Sequence, residues 1–513
     1  MATNNTTILP DAKCWEAFQK MPPCQEACPI HMDVSRYVLA IAQGRFDDAL
    51  AIVRETNPLG SACGRICNHP CESVCTRGKV DEPIAIEWLK RVPGDLIAAK
   101  GGEKTAPAER CWPEQVAVIG AGPAGLTAAA DLVKMGYPVT VFEEQPVAGG
   151  MLAYGVPEFA LDRKALQRDI DHIKGLGVEI KTNHALGPNL TINDLKQMGY
   201  KSILIAVGAQ SAMKLPLPGS DLQGVFHGLP FIKDASLGKA PKISGKVGVI
   251  GGGNVAIDAA RVALRLGASE VHLTCLESRK EMPAFAWEIE KAVEEGIKLH
   301  PSRAPKQITG KDGKVAGLDL VECKELCTDY EGRIKPVLNE DIKESLAADV
   351  VIIAIGQTID QAFAAGAPKL QLGKRGEVSC DPETLCTNLD GVYVAGDAVV
   401  VRGTVVESMA AGRKAAQTID RHLRGLDLAA CEIPAAAQEI VDSKLPKWVE
   451  SRKRQTMPTL PVKDRSASFK EVDLGFQEKE AVAEARRCLT CDVCGNCMFD
   501  RAQVCHETGS RLL

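Results

Sequence analysis

Three consecutive stretches, Val116-Ala-Val-Ile119, Gly120-Ala-Gly122-Pro123-Ala124-Gly125 and Leu126 to Met135, read as a buried strand, a glycine turn and a helix. The next strand, Val139 to Phe142, is closed by Glu143. This is G-x-G-x-x-G in its strand–turn–helix context, a far more specific signal than glycines alone. Gly120 permits the tight turn, Gly122 lets the backbone approach a pyrophosphate, and Gly125 lets helix and strand pack closely. The helix N-terminus supplies free N–H groups, from Ala124 onward because Pro123 has none, and partial positive charge to an anion. Glu143 stands where a carboxylate accepts hydrogen bonds from ribose hydroxyls.

A similar unit follows. Lys246 to Ile250 is a strand, and Gly251-Gly-Gly253-Asn254-Val255-Ala256 makes the turn, with alanine at the third fingerprint position. Ile257 to Leu266 reads as its helix, and the next strand, Val271 to Leu276, ends at Glu277. A carboxylate there favours a free 2′-hydroxyl and repels a 2′-phosphate, so NAD(H) is expected over NADP(H), although Arg279 lies close by. Two nucleotide sites in one chain point to hydride transfer from a nicotinamide that comes and goes to a flavin that stays. The stretch Gly391-Val-Tyr-Val-Ala-Gly396-Asp397-Ala398 is a strand ending in Gly-Asp, followed by a helix through Ser408 to Leu423. Asp397 is placed to hydrogen-bond the ribityl or pyrophosphate region of FAD. Gly150, Met151, Gly208 and Val406 complete the expected cofactor contacts.

The chain has 513 residues, 45% hydrophobic and 25% charged, with a net charge of −5. That is an ordinary globular composition, long enough for about three or four domains. Nothing in it calls for nucleic acid or an anionic membrane. Met1 to Ile8 is polar, and the longest apolar run, Val350 to Ile355, is far short of the roughly 20 residues of a membrane span. The expected location is the cytoplasm.

The 19 cysteines are clustered, eight of them from Cys14 to Cys111 and five from Cys488 to Cys505. In a reducing compartment such groups are metal ligands more often than disulfides. The N-terminal group includes Cys24, Cys28, Cys63, Cys67, Cys71 and Cys75, and Cys28 precedes Pro29 as iron–sulfur ligands often do. Six cysteines are too many for one tetrahedral zinc. The C-terminal group is Cys488-x2-Cys491-x2-Cys494-x2-Cys497 with Cys505 beyond. That is the spacing of a ferredoxin-type [4Fe–4S] site with one cysteine to spare; a zinc knuckle is the plainer alternative.

The order of cysteine-rich segment, FAD fingerprint, nicotinamide fingerprint and Gly-Asp motif resembles the small (beta) subunit of glutamate synthase and its iron–sulfur flavoprotein relatives. Residues 24–425 carry the resemblance. Its landmarks are Pro23-Cys24-x3-Cys28-Pro29, Asn57-Pro58-Leu59, Cys63-Gly-Arg-Ile-Cys67, Pro70-Cys71-Glu72-x2-Cys75, Gly149-Gly150, Tyr154-Gly155-Val156-Pro157 and Glu281-Met282-Pro283. The resemblance implies that Cys24, Cys28, Cys67, Cys71 and Cys75 are cluster ligands and that electrons pass singly from FAD to the clusters. Three departures stand out. The family opens with C-x2-C-x4-C-x3-C, of which only the last two cysteines match here, leaving one or two N-terminal clusters and a role for Cys14 or Cys63 open. Lys90 replaces the Glu or Gln that serves some relatives as a fourth ligand, with Glu87 nearby. Leu276-Glu277 replaces the two arginines of NADP-using relatives.

The expected fold class is α/β, with two Rossmann-like domains, for FAD and NAD(P)H, between an α-helical iron–sulfur domain and a short ferredoxin-like iron–sulfur segment. The expected boundaries are 1–110 for the helical domain, 111–242 with 365–430 for the FAD domain, and 243–364 for the NAD(H) domain. A linker or surface arm follows over 431–475, then the last segment over 476–513. Within the helical domain, apolar spacing predicts helix over Val34 to Val53 and Ile84 to Leu96. Glu480 to Arg487 reads as a short helix before the last cysteines.

The expected function is an electron-transfer subunit working with another oxidoreductase subunit or a ferredoxin-type carrier in a hetero-oligomer. A glutamate synthase small subunit proper is the nearest alternative. A flavin disulfide reductase is disfavoured, because neither fingerprint module carries the C-x2-C pair it needs; a zinc- and NAD-binding scaffold is the non-catalytic rival. Hydride transfer requires no protein acid or base, so no catalytic residue is named.

Overall fold

The computed structural model describes residues 21–328, 334–400, 403–428 and 449–491. Residues 21–110 contain only helices among their regular elements: α1 (Pro23–Glu26), α2 (Val34–Ala42), α3 (Phe46–Thr56), α4 (Gly60–Ile66), α5 (Pro70–Ser73) and α6 (Ile86–Ala99), with one 3₁₀ turn. The helix expected over Val34 to Val53 is thus two. Gly44, at φ 75°, breaks it, and α3 starts again at Phe46. Asp33 caps α2 by accepting the Arg36 N–H at 3.1 Å. Helix α6 runs from Ile86 rather than Ile84 and accommodates Pro93.

The flavin-type unit follows. Strand β1 (Gln115–Ile119), helix α7 (Pro123–Lys134) and strand β2 (Val139–Glu143) form the first fingerprint, joined by β3 (Glu179–Thr182) and β4 (Tyr200–Ile205). In the second unit come β5 (Val225–His227), α8 (Gly228–Ser236), β6 (Lys246–Ile250), α9 (Asn254–Arg265), β7 (Glu270–Thr274), α10 (Ala286–Glu294) and β8 (Lys298–His300). Three long strands, β9 (Arg303–Lys311), β10 (Lys314–Thr328) and β11 (Ile334–Ala347), make an antiparallel ribbon before β12 (Val350–Ile353) returns to the sheet. Strand β13 (Val392–Val394) and helix α11 (Val405–Leu423) go back to the first unit, and α12 (Glu478–Ala485) lies far along the chain.

The first sheet has the order β13-β4-β1-β2-β3 and the second β5-β12-β6-β7-β8, all parallel. Strands β1 and β6 are buried beyond their first residue, as strands covered on both faces by helices must be. One boundary needs correction. The second unit begins before residue 243, because β5 pairs in parallel with β12 (Val225 with Val351) and α8 packs on α9. The chain crosses between units through two short paired segments, Ser211–Ala212 and Gln357–Thr358.

The described part of the arm, 449–475, is ordered against all the other units. Arg65 and Arg91 of the helical domain both reach Glu471, at 2.7 and 3.0 Å. The Val472 N–H donates to the Phe159 carbonyl at 2.9 Å. Lys291 of the second unit pairs with Asp473 at 2.9 Å, and Arg265 donates to the Ser468 carbonyl at 3.0 Å. Beside this seam, Arg261 and Arg265 share the buried carboxylate of Glu295 and lie over the Phe159 ring at 4.5 and 3.9 Å.

Burial alone would raise the pKa of Glu295, but hydrogen bonds from Arg265 and Arg261 outweigh it and hold the carboxyl at about 2. The folded value lies below the unfolded one, so this stabilisation is present above about pH 4.5 and is lost as pH falls toward 2. Glu295→Gln leaves two buried guanidinium groups short of their counter-charge and is expected to destabilise the fold by about 3 kcal/mol at neutral pH. Thermal melts from pH 7 to 3 check this: the gap between wild type and variant should narrow on acidification.

Candidate functional site

A cavity of about 460 Å³ opens where the two parallel sheets and the helical domain meet, within the range of cofactor sites. Of the expected flavin contacts, Gly120, Gly122, Pro123, Ala124, Glu143, Gly150, Met151, Gly208 and Asp397 line it. From the second fingerprint, Asn254 and Val255 do so. Gly125, Gly251, Gly253, Gly396 and Val406 lie off the wall, within the fingerprint turns or beside residues that form it. Glu277 also stands away from this cavity, at the end of the second unit's fingerprint, where a β-carbon on Gly252 would meet its carboxylate at 2.7 Å.

The backbone explains why these positions need their residues. Gly120 has φ 106°, and a β-carbon there would come within 2.4 Å of the Ala206 carbonyl oxygen. At Gly125 a β-carbon would meet the Gly120 carbonyl oxygen at 2.0 Å. Gly122 stands at the cap of α7 and Gly253 at that of α9, and neither helix has a side-chain cap. Each therefore leaves its first N–H groups for an anion, which fits a dinucleotide pyrophosphate. Glu143 is buried and accepts N–H bonds from Ala121 at 2.7 Å and Gln145 at 2.8 Å. Burial pushes its pKa up and those bonds pull it down.

Several wall residues carry no motif. Phe285 and Trp287 stack at 4.7 Å, and Trp287 also meets His69 at 4.5 Å, so an aromatic ledge bridges the second unit and the helical domain. The Asn254 side chain holds that ledge by accepting the Phe285 N–H at 2.9 Å. Asp258 faces the same space, and burial, with Glu288 nearby, raises it to about 7. A Glu-Met-Pro landmark just before these residues was the one available sequence signal for the ledge.

The helical domain brings its cysteines to this cavity. Cys67 is on the wall, with His69 and Glu87 beside it. Its neighbours include Cys28, and Cys71 lies close to both Cys28 and Cys67. Cys63 lies against Cys67 but also meets the Met409 sulfur at 3.4 Å; burial pushes its thiol up to about 12. Lys90 is buried among Cys67, Cys63 and Cys71. Burial works against its charge, but those sulfurs and Glu87 raise its pKa. A buried ammonium among thiolates offsets the negative charge of an iron–sulfur centre, one of the levers on its potential. Cys24 and Cys75 lie apart from this inner group, together with Cys488 and Cys491, on a second and smaller cavity. Cys494, Cys497 and Cys505 lie outside the described residues.

Residues 114–417 match the pyridine nucleotide-disulphide oxidoreductase family. The chain belongs to that family. Residues 3–101 match the dihydropyrimidine dehydrogenase domain II, a 4Fe-4S cluster domain. The chain is 39% identical over 508 residues to the NADP(+)-dependent formate dehydrogenase subunit beta of Moorella thermoacetica, covering 91% of this chain and 70% of that one. It is 32% identical to the glutamate synthase [NADPH] small chain of Azospirillum brasilense, covering 81% of this chain and 88% of that one. FprA of Mycobacterium tuberculosis, solved with NADPH, superposes with a TM-score of 0.52 at 20% identity, over 61% of this chain and 85% of that one. The family makes the chain an FAD- and NAD(P)H-binding oxidoreductase with a [4Fe–4S] domain, as the resemblance implied.

Gly125→Val drives a side chain into the Gly120 carbonyl and should cut FAD occupancy at least about tenfold, equivalent to about 1.4 kcal/mol of binding. Gly187→Ala, where a β-carbon meets nothing within 4 Å, should leave it unchanged. The ratio of flavin to protein absorbance in the purified chains measures both.

Proposed function

We propose that this chain moves a hydride between NAD(H) and FAD and passes electrons singly through [4Fe–4S] clusters to or from a partner oxidoreductase subunit in the cytoplasm. One observation carries the reading: both nucleotide fingerprints and Cys67 share the wall of a single cavity. Bound FAD supplies the exchange between two-electron and one-electron chemistry. The protein's residues position and insulate. The starts of α7 and α9 hold the two pyrophosphates, and Glu143 and Asp397 face the flavin nucleotide. The Phe285–Trp287 ledge, beside the second fingerprint's Asn254, would supply an apolar wall for a nicotinamide. Cys24, Cys28, Cys67, Cys71 and Cys75 are the N-terminal ligands on this reading, with Cys63 beside the inner group.

The relative from Moorella is named for NADP, but Glu277 at the end of the second fingerprint favours a nicotinamide with a free 2′-hydroxyl. The partner is one that feeds or drains single electrons. In related chains it is a companion subunit, as the designation beta of the formate dehydrogenase relative indicates.

Anaerobic addition of NADH to the purified chain should bleach the flavin band and the broad iron–sulfur shoulder together. A colourless, zinc-containing preparation would defeat the proposal. For the nicotinamide, kcat/KM with NADH should exceed that with NADPH by at least about tenfold, and Glu277→Arg should narrow the gap by a similar factor, about 1.4 kcal/mol. Steady-state reduction of a one-electron dye measures the ratio.

A further inference from the structure

Cys24 and Cys75 belong to the helical domain, and Cys488 and Cys491 follow α12, yet all four line the same small cavity. Its wall is otherwise largely apolar, with Val34 and Ile86 among its members. Cys24 has Cys488, Cys75, Cys491 and Cys71 around it.

Two further observations show a place built for thiolates. Backbone N–H groups of Ile84, Arg77 and Gly78 lie near the Cys75 sulfur and work against the effect of its burial. At Cys488 the Thr490 N–H donates to the sulfur at 3.4 Å, with Thr490 held at φ 48°. Cys67 has the same local geometry: the His69 N–H donates to its sulfur at 3.4 Å, with His69 at φ 36°. A threonine in the left-handed region is strained and persists only where the surroundings impose it.

The tail is also fixed independently of its cysteines. Arg487 is buried and pairs with Asp81 at 2.8 Å and Glu484 at 2.6 Å. Glu484 in turn accepts the Ala85 N–H at 2.9 Å.

We infer that Cys24, Cys75, Cys488 and Cys491 together ligate one [4Fe–4S] cluster, built from both cysteine-rich parts of the chain. Among the described residues no three His, Cys, Asp or Glu side chains converge as a single ion requires. A tetrahedral zinc needs its sulfurs about 2.3 Å from one centre, whereas a cubane spreads its four thiolates around a core of iron and sulfide. Cys71 lies near both Cys24 and the inner group, so the composite site stands next in line from the cavity after Cys28, Cys67 and Cys71. The expected C-terminal run is thereby divided: Cys488 and Cys491 serve this site and are unavailable to a separate ferredoxin-type one.

The proposal rests on the iron–sulfur reading above, and two measurements test it. Iron, acid-labile sulfide and EPR spectra of the reduced full chain are compared for wild type, Cys24→Ala/Cys75→Ala, Cys488→Ala/Cys491→Ala and the quadruple variant. Each pair should lose about four irons, about four sulfides and the same EPR signal, and the quadruple variant no more than either pair. A loss of about eight irons in the quadruple variant, or no loss in one pair, overturns the shared site while leaving the iron–sulfur reading intact. Should the variants misfold, differential alkylation of the wild-type holoprotein decides. All four thiols should be protected together and become reactive together as a chelator strips the cluster. Alkylation of Cys24 and Cys75 while Cys488 and Cys491 stay protected overturns it. A flavin-loaded chain with no iron or sulfide would overturn the underlying reading as well.

Discussion

Buried guanidinium groups hold the units of this protein in register. Arg65 and Arg91 reach from the helical domain to Glu471 of the arm, Arg465 of the arm pairs with Glu294 of the second unit, and Arg487 ties the region after α12 to Asp81. Such pairs contribute little net stability, because desolvating two charges costs about as much as their attraction returns. Their value is geometric. A planar fork with several donors accepts few alternative partners, so each pair selects one relative placement of its elements. The cavity exists only because that placement is fixed: its walls come from the helical domain, both sheets and the arm.

The local parts of this arrangement were legible in the sequence, because their causes are local. Both fingerprints appear where the glycines indicate, since no other residue fits against the Ala206 and Gly120 carbonyls in the first or the Ala354 carbonyl in the second. Helix ends moved by a few residues: α9 starts at Asn254 rather than Ile257, and α11 at Val405. Gly44 divided a helix that apolar spacing alone had joined. The start of the second unit was missed because β5 is only three residues long, and its partner β12 lies far along the chain.

What stayed hidden depends on distant contacts that leave no period in the sequence. Phe285 and Trp287 carry no motif, and only the fold stacks them and sets Trp287 against His69. Lys90 read as a failed ligand, yet its place among Cys63, Cys67 and Cys71 gives it a charge-balancing role. The arm reads in the sequence as a linker or surface arm; the partners that fix it, among them Asp81, Arg65 and Lys291, lie on the other units.

The position of α12 bears on how the polypeptide matures. Its Glu484 completes a hydrogen bond to Ala85 across 399 residues of sequence, and the helix packs on α2 and α6. At ribosomal speeds of about 5–20 residues per second, the helical domain waits some tens of seconds for this last piece of its wall. During that interval apolar surface and thiols stand open to solvent, to oxidants and to whatever delivers iron and sulfide. Order of synthesis thus sets how long that wall stays incomplete, and the composite site cannot close before Cys488 and Cys491 follow α12 into place.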